Sequence, residues 1–330
     1  MKTLNIIPDF DLTALNTMGL RAQARFGVEM TEAEHIAELI AFAGEQGLPL
    51  HIIGGGSNLL PHEQVEAVVA VMATKGREVV GETEDSVLVK VRAGEEWSAT
   101  VEWTVAQGLW GLENLVLIPG TVGAAPIQNI GAYGVELKDR FHELTAYDTV
   151  AGVVRTFDKD ACVFGYRQSY FKSVPGQFVV LDVTLALPKN WQPVLGYAGL
   201  GDLDGAPAPE IMNRVADVRR SKLPDWRVFG NAGSFFHNPV VGAEVAAKIE
   251  GVPVYPQSDG RVKLSAAWLI EACGLKGYRD GPVGVYDKHA LILVNHGGAA
   301  FSDIARLTAK IQSEVRARFG VELVREPLEI

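Results

Sequence analysis

The stretch from Pro119 to Gly134 reads PGTVGAAPIQNIGAYG and constrains the fold more than any other part of the chain. It consists mostly of glycine, alanine, proline and amide residues and carries no charge. Long segments without regular structure inside a compact domain are usually functional. Small side chains also let a flat ligand lie against the main chain. We interpret this segment as a ligand-binding loop, and the alternative is a tightly packed crossover whose glycines serve only helix and strand contacts.

The same segment lies within an uncharged run of 22 residues, from Asn114 to Val135. Such a run is long enough to span a bilayer. Its many glycines, its prolines and its amides would leave backbone groups unsatisfied in lipid. We therefore predict a loop buried in protein.

A second glycine loop follows an apolar strand, where residues 52–60 read IIGGGSNLL. Glycines permit positive φ and let a phosphate approach the backbone N–H groups, while serine and asparagine add hydrogen bonds. This is not a dinucleotide-binding GxGxxG fingerprint, because Pro61 interrupts it and Val65 to Met72 is predicted to be another strand. An ordinary glycine turn remains the alternative.

The flanking sequence predicts alternating helices and strands. Helices are indicated at 31–45, ended by Gly47, at 95–107 and at 210–222, and strands at 48–53, at 86–91 and at 179–187, the last two half-buried. A long helix capped by Ser302 is expected to end at Gly320, before a strand at 321–324. The glycine- and proline-rich segment 188–209 is interpreted as a connection between domains. This pattern predicts an α+β fold.

The composition describes a folded chain with an acidic surface. The 330 residues carry a net charge of −10, and 48% of them are hydrophobic. We therefore expect a folded chain that does not bind nucleic acid non-specifically. Cys162 and Cys273 lie far apart, which predicts neither a disulfide framework nor a thiolate metal site. Met1 to Thr17 lacks the apolar core of a signal peptide, so we expect a cytoplasmic protein.

Two further motifs carry reactive side chains. In the segment 165–172, Arg167 lies among aromatic residues and could clamp a carboxylate, although a structural ion pair is the alternative. In the segment 230–239, Ser234 lies between Gly233 and Phe235 and could present its hydroxyl in a cleft. A hydrolase with Ser234 as nucleophile is disfavoured because the sequence has no GxSxG motif. The seven histidines show no HExxH spacing, so no metal site is expected.

Taken together, in order and spacing, these motifs and the terminal segment 323–326 resemble the UDP-N-acetylenolpyruvoylglucosamine reductase family, also called UDP-N-acetylmuramate dehydrogenases. The resemblance extends from about Leu15 to Glu326. It implies an FAD-binding domain of the vanillyl-alcohol-oxidase (PCMH) type at 17–190. It also implies a smaller α+β substrate-binding domain at 209–330, whose last strand returns to the active site.

The resemblance further implies a reaction and a set of contacts. NADPH would reduce FAD, and flavin N5 would pass the hydride to the methylene carbon of an enolpyruvyl ether, giving the peptidoglycan precursor UDP-N-acetylmuramate. Tyr133, Tyr197, Lys222 and Asn238 match substrate contacts. The positions that match cofactor contacts are Gly54, Gly55, Gly56, Ser57, Asn58, Pro119, Gly120, Thr121, Gly123, Ala124, Ile127 and Gly131.

Three residues match the catalytic positions of the family. Arg167 would stabilise the enolate-like charge that hydride addition creates, and Ser234 would donate the proton. Glu326 would assist only if it is uncharged or polarises a neighbour, so we predict a shielded carboxyl with a raised pKa. Glu329 is the alternative carboxyl at the C-terminus. The sequence departs from the family at His296, where some members carry an acidic residue near the diphosphate.

The expected partners are a nucleotide sugar and NADPH, with no nucleic acid and no membrane, and the chain is expected to be a monomer. A nucleotide-sugar binding protein without turnover remains the competing hypothesis. It would have no need of Arg167, Ser234 and Glu326 together.

Overall fold

A computed structural model describes residues 4–257 and 259–330 of the chain. Its strands are β1 (Ile7–Asp11), β2 (Gln23–Met30), β3 (Leu50–Ile53), β4 (Leu59–Leu60), β5 (Gln64–Met72), β6 (Arg77–Glu82), β7 (Ser86–Arg92), β8 (Gly131–Ala132), β9 (Val135–Glu136), β10 (Phe141–Asp148), β11 (Val153–Asp158), β12 (Phe178–Pro188), β13 (Val240–Val241), β14 (Val254–Pro256), β15 (Val262–Leu264), β16 (Arg279–Asp280), β17 (Val283–Val285), β18 (Leu293–Asn295) and β19 (Leu328–Glu329). Its α-helices are α1 (Ile36–Gln46), α2 (Trp97–Ala106), α3 (Tyr170–Ser173), α4 (Ala208–Lys222), α5 (Ala243–Ala246), α6 (Ala266–Ala272) and α7 (Phe301–Phe319). Short 3₁₀ helices occur at Thr13–Leu15, Ala33–His35, Glu113–Leu115 and Leu137–Asp139. The mixture of helices and strands confirms the predicted α+β class.

The chain divides into two compact units, which are described separately. Unit 1 consists of the described part of Met1–Phe10 together with residues 24–55 and 66–221. Unit 2 consists of residues 11–23, 56–65 and 222–330 apart from position 258. The glycine- and proline-rich segment 188–209 lies within unit 1, where Leu200 and Leu203 are buried.

The described part of unit 1 contains two larger sheets and the two-stranded pair β8-β9. One has the strand order β1-β2-β5-β3, with β3 parallel to β5. The other is antiparallel and has the order β11-β10-β12-β7-β6. The helices predicted at 31–45 and 95–107 are confirmed as α1 and α2, and the helix predicted at 210–222 is confirmed as α4. The strands predicted at 48–53, 65–72, 86–91 and 179–187 are confirmed as β3, β5, β7 and β12.

The prediction that the strand at 179–187 is half-buried is wrong. Most residues of β12 are buried on both faces, including the polar Asp182 and Thr184. β12 is the central strand of its sheet, and its side chains enter two apolar clusters: Val179 and Leu181 lie in one, and Val183 and Leu185 lie in the other. Lys90 and Arg92 of β7 lie 3.3 and 3.5 Å from the Asp182 carboxylate and compensate its buried charge.

The ends of the helices follow from particular residues. Gly47 and Gly320 adopt left-handed conformations, with φ of 65° and 67°, and end α1 and α7 as predicted. The cap predicted at Ser302 is wrong, because α7 begins at Phe301 and Asp303 accepts a hydrogen bond from the Ala300 N–H at 3.1 Å.

The strand predicted at 321–324 is also wrong. Val321 and Leu323 are buried and alternate with exposed residues, which imitates the period of a strand. The C-terminal segment joins a sheet only further along the chain, at β19, where Leu328 pairs with Leu59 of β4. The pairing brings the C-terminal segment beside the end of the first glycine loop.

Unit 2 has small sheets and one shared core. Its three-stranded sheets have the orders β13-β15-β14 and β16-β17-β18. Phe235 and Phe236 are fully buried in a core shared with apolar residues of α6 and α7. This core gives the neighbouring Ser234 a rigid support.

None of the helices in residues 4–257 and 259–330 combines the length and apolarity needed to cross a membrane. The uncharged run at 114–135 is a succession of turns, short bridges and a 3₁₀ helix, in agreement with the predicted loop.

Candidate active site

The two glycine loops meet in unit 1. A Cβ atom at Gly54 would lie 2.3 Å from Oγ1 of Thr121, and one at Gly55 would lie 3.1 Å from Cα of Gly120. Neither position accepts a side chain without displacing the other loop. The lack of side chains therefore lets the main chains of 54–55 and 120–121 lie side by side.

The second loop is fastened to the segment that leads into α2. Trp97 donates its backbone N–H to the Gly120 carbonyl at 3.0 Å, and Val122 donates to Glu95 at 2.9 Å. A Cβ at Gly123 would lie 2.5 Å from the Cβ of Ala93, so this glycine serves packing. The run of turns extends from Val122 to Asn129, and within it Ala124 is exposed. The result is a fixed loop of mostly small side chains that suits a flat ligand.

The first loop continues into unit 2 with Gly56, Ser57 and Asn58. Gly56 has φ of 63°, and a Cβ there would lie 1.8 Å from the Leu15 carbonyl oxygen. The Asn58 carbonyl accepts a hydrogen bond from Leu328 at 2.9 Å, and its Nδ2 donates to the Glu326 carbonyl at 3.4 Å. Asn58 therefore joins the glycine loop to the segment that carries Glu326.

Arg167 is held close to the second glycine loop. Its Nη2 donates to the Gly131 carbonyl at 2.9 Å. The Arg167 carbonyl accepts a hydrogen bond from Nζ of Lys172 at 3.0 Å, and Ser169 Oγ donates to the Ile127 carbonyl at 2.6 Å. Three predicted site residues, Arg167, Ile127 and Gly131, are thus brought together. A guanidinium fixed in this way can meet a developing oxyanion without reorganisation.

Tyr133 and Tyr197 also come together in unit 1. Their ring centroids lie 4.7 Å apart with an interplanar angle of 61°. The buried amide of Asn114 connects their segments, because its Nδ2 donates to the carbonyls of Tyr133 and Val194 at 2.8 and 2.9 Å. Burial raises the pKa of the Tyr133 phenol. This phenol therefore stays protonated and can donate a hydrogen bond.

The sequence analysis missed Arg219, which lies near these tyrosines. Its Nη2 donates to the Leu117 carbonyl at 3.2 Å, while its Nε is buried and has no hydrogen-bond partner among the described residues. Burial lowers the pKa of the guanidinium, and the Tyr133 and Tyr197 hydroxyls partly oppose that shift. A sheltered cation favours an anionic group beside it. The only sequence signal was the Arg219–Arg220 pair on a helix whose other face is apolar.

Ser234 is presented by a braced turn in unit 2. Gly233 before it has φ of 68°, and its N–H donates to Oδ1 of Asn231 at 3.1 Å. Thr17 Oγ1 donates to the Asn231 carbonyl at 2.7 Å. Ser234 itself is exposed and forms a bridge with Ile292. The serine hydroxyl is therefore positioned by main chain that is fixed on both sides.

Glu326 lies next to the segment that carries Ser234. Its N–H donates to the Phe235 carbonyl at 2.9 Å, and the His237 N–H donates to the Val324 carbonyl at 2.9 Å. Oε2 of Glu326 lies 3.5 Å from Nδ1 of His237. The Glu326 side chain is only 11% exposed. The Glu326 segment is thus hydrogen-bonded to the segment that carries Ser234, and the Glu326 carboxyl is sheltered from water.

The alternative carboxyl, Glu329, is in a different environment. Its side chain is 40% exposed, and its oxygens lie 2.7 Å from Arg325 Nη2 and 2.8 Å from His62 Nε2. These partners lower the pKa of the Glu329 carboxyl. A permanently charged surface carboxylate does not suit the shielded role predicted for a catalytic glutamate, which favours Glu326.

Cationic side chains mark another part of unit 2. Lys222, predicted to contact a diphosphate, and Lys276 both lower the pKa of His289, although burial contributes more. The Leu291 N–H donates to Nδ1 of His289 at 3.3 Å, which requires that nitrogen to be unprotonated.

The two remaining predicted contacts have structural partners. Oδ1 of Asn238 accepts a hydrogen bond from the Ala266 N–H at 2.9 Å, at the start of α6. His296 packs edge to face against Phe229 at 5.6 Å, and burial lowers its pKa with help from Arg279. His296 is therefore held neutral and does not replace an acidic residue electrostatically.

Two family models match the chain. The model described as "UDP-N-acetylenolpyruvoylglucosamine reductase, C-terminal domain" matches residues 224–330. The model described as "FAD binding domain" matches residues 24–158.

Full-length relatives give the same result. The chain is 49% identical to the UDP-N-acetylenolpyruvoylglucosamine reductase of Pseudomonas aeruginosa over 326 residues, which cover 96% of each chain. It is 48% identical to the enzyme of the same name from Azoarcus sp. over 98% of each chain. The crystal structure of the Thermus caldophilus reductase superimposes with a TM-score of 0.71 at 24% identity, covering 100% of this chain and 99% of that one, and it shows the same fold.

Proposed function

Because the chain belongs to the UDP-N-acetylenolpyruvoylglucosamine reductase family, we propose that the residues gathered in its two units carry out that family's reaction in the roles given below. The protein is a flavin-dependent oxidoreductase that uses FAD and NADPH. It reduces UDP-N-acetylglucosamine enolpyruvate to UDP-N-acetylmuramate in peptidoglycan synthesis. The observation that carries the residue assignments is the close approach of the Glu326 main chain to Phe235, the neighbour of Ser234.

The two glycine loops fit a bound FAD. A Cβ atom at Gly54 or Gly55 would crowd the other loop, and Ala124, in the turns that follow, is exposed and has a small side chain. We assign the diphosphate and ribityl contacts to Gly54, Gly55, Gly56, Ser57, Asn58, Pro119, Gly120, Thr121, Gly123 and Ala124, with Ile127 and Gly131 alongside. When bound, FAD takes up hydride from NADPH and supplies it to the methylene carbon of the enolpyruvyl ether.

Three residues manage the charge and the proton of the second transfer. Hydride addition to the methylene carbon pushes negative charge onto the adjacent carbon and the substrate carboxylate. Arg167 stabilises that charge through its fixed guanidinium, an effect worth about 10² to 10³ in rate for one preorganised donor. Ser234 Oγ gives its proton to the charged carbon, and Glu326 assists in its uncharged form. This division of roles gives a cation, an alcohol and a sheltered carboxyl each a separate task.

Four further residues hold the substrate. Lys222 is suited to the UDP diphosphate because it carries a point charge on a flexible stem. Tyr133 offers a phenol donor that stays protonated because burial raises its pKa, Tyr197 offers a second hydroxyl, and Asn238 offers an amide. These residues bind and orient, so their replacement should weaken substrate binding more than it slows the chemistry.

The domain organisation and the setting of the enzyme are also proposals. We assign FAD binding to 17–190 and substrate binding to 209–330, and the family matches at 24–158 and 224–330 support that division. We further propose a cytoplasmic monomer that takes only small-molecule partners. Cys162 and Cys273 are both free thiols, which suits a reducing compartment.

The flavin spectrum tests this function directly. Purified protein should be yellow, should lose its flavin absorbance when NADPH is added without oxygen, and should regain it when the enolpyruvyl nucleotide sugar follows. Bleaching without recovery would contradict the proposed residue roles. Colourless protein that hydrolyses an ester would instead support Ser234 as a nucleophile.

A further inference from the structure

Arg167 adopts a conformation that needs external support. Its φ is 53°, in the left-handed region that side chains other than glycine and asparagine rarely adopt. It is the third residue of a tight turn that two hydrogen bonds close. The Gly165 N–H donates to the Gln168 carbonyl at 3.0 Å, and the Gln168 N–H donates to the Gly165 carbonyl at 3.2 Å. The third residue of such a turn is usually glycine or asparagine when its φ is positive. Something outside the turn must therefore hold the arginine there.

The side chain of Asn129 provides that support. It is fully buried, and its Nδ2 donates to the Gly165 carbonyl at 3.1 Å and to Oε2 of Glu136 at 3.0 Å. Its Oδ1 accepts a hydrogen bond from the Lys138 N–H at 3.0 Å. Gly165, the first residue of the turn, is thus bound to the Asn129 amide. The hydrogen bonds to Glu136 and Lys138 fix the orientation of that amide.

The main chain of Asn129 holds the other end of Arg167. The Asn129 carbonyl accepts a hydrogen bond from Nη1 of Arg167 at 3.4 Å, next to the stronger bond from Nη2 to Gly131. A Cβ at Gly131 would lie 2.9 Å from Cγ of Glu136 and 3.0 Å from the Val135 carbonyl oxygen, so the glycine permits the close pairing of β8 with β9 at this point. One residue therefore contacts both the turn that carries Arg167 and its charged group.

We propose that Asn129 is a positioning residue that sets the direction of the Arg167 guanidinium, an inference that rests on the proposed role of Arg167. Asn129 itself has φ of 44°, a conformation that glycine adopts without cost. The substitution Asn129→Gly therefore deletes the amide bonds while leaving the backbone unstrained. Asn129→Asp keeps the shape but replaces both donors by acceptors that face the Gly165 carbonyl and Glu136.

Ser169→Ala is the matched control. Ser169 Oγ also ties the Arg167 segment to the glycine loop, through Ile127, but no bond recorded for its side chain reaches the Arg167 turn or the guanidinium. Loss of this bond loosens the same two segments without freeing the arginine.

The test measures anaerobic flavin reduction by NADPH and reoxidation by the enolpyruvyl substrate in the holoenzymes. For Asn129→Gly and Asn129→Asp we expect reoxidation at least about tenfold slower at saturating substrate, with reduction and KM within about threefold of wild type. Ser169→Ala should change reoxidation by less than about threefold. In an Arg167→Ala background, Asn129→Gly should cause no further loss, because the residue acts only through the arginine.

Two results would overturn the inference while leaving the role of Arg167 intact. One is an equal slowing by Ser169→Ala, and the other is a full additional loss when Asn129→Gly is combined with Arg167→Ala. If Arg167→Ala alone reoxidises at the wild-type rate, the proposed role of Arg167 itself fails, and the positioning role fails with it.

Discussion

Nδ1 of His237 lies 3.5 Å from Oε2 of Glu326, in two segments that run side by side through the pairing of Phe236 with Arg325. Both side chains are mostly sheltered from water. At this distance the charge of the imidazole affects the ionisation of the Glu326 carboxyl. When protonated it favours the carboxylate, and when neutral it leaves the uncharged acid accessible.

This pair predicts how removing the histidine affects catalysis. If the imidazole acts on the reaction through the Glu326 carboxyl, its removal has an effect only while that carboxyl is present. We expect His237→Gln to slow reoxidation by the substrate several-fold, because the carboxyl loses a neighbour that orients it, and to cause less than about twofold further change in a Glu326→Gln background. Stopped-flow reoxidation of the NADPH-reduced enzymes measures both effects. An equal effect in the two backgrounds would show that the imidazole does not act through the carboxyl.

Gly55 predicts how sensitive flavin binding is to one methyl group. A Cβ there meets the Cα of Gly120 at 3.1 Å, and both atoms belong to rigid main chain. Gly55→Ala should push the two loops apart at a cost of about 1–3 kcal/mol and weaken FAD binding about tenfold or more. Titration of the apoprotein with FAD measures the affinity. Gly81→Ala is the control, since a Cβ at Gly81 meets no atom within 4 Å. Equal FAD affinity in the two variants would argue against the assignment of this loop to the cofactor.

His289 predicts part of the acid sensitivity of folding. Burial, together with Lys222 and Lys276, holds the pKa of its imidazole below the usual value near 6.5. The unfolded chain therefore binds more protons as the pH falls below about 6.5, and the folded state loses stability. His289→Gln should reduce this loss by at most about 1.4 kcal/mol per pH unit, the limit for one proton.

Urea unfolding of wild type and His289→Gln between about pH 7.5 and pH 5, with FAD in excess, compares the two slopes. Some acid sensitivity should remain, because burial also lowers the pKa values of His51 and His296. Parallel curves for the two proteins would show that His289 takes up its proton equally in the folded and unfolded states.

At the start of α7, substitutions of two adjacent residues should differ in their effect on the free energy of unfolding. Asp303→Ala removes the acceptor for the Ala300 N–H and should lower the free energy of unfolding by about 1 kcal/mol. Ser302→Ala should change it by less than about 0.5 kcal/mol. The Ala300 hydrogen bond and Arg306 lower the pKa of Asp303, so this contribution is present at neutral pH and is lost as the pH falls below about 4. Thermal unfolding of the two variants measures the difference, and an equal cost for both would restore Ser302 as the cap.

The features predicted most reliably from the sequence are loops and helix ends, which depend on residues close together in the chain. The loops at 54–58 and 119–134 were identifiable because glycines and prolines in close succession disfavour helices and strands. Helix ends at Gly47 and Gly320 were identifiable because a left-handed residue follows the last turn. The cap of α7 was not, since Ser302 and Asp303 have similar propensities and only the direction of the Ala300 N–H distinguishes them.

Features that depend on distant segments could not be predicted. Asp182 alternates with apolar residues like any surface position, yet it is buried because β12 is a central strand and β7 supplies two cations. The contact of His237 with Glu326 joins residues far apart in the chain, and Asn129 reaches the turn at Gly165. Arg219 was missed for the same reason, because its importance comes from burial beside Tyr133 and Tyr197.

The role of Ser234 is tested most directly by separating the two half-reactions in Ser234→Ala under anaerobic conditions. Reduction of the flavin by NADPH should remain within about twofold of wild type, while reoxidation by the enolpyruvyl substrate should slow by about 10² to 10⁴ because the carbanion loses its proton donor. Equal slowing of both half-reactions, or reoxidation at the wild-type rate, would contradict the assignment.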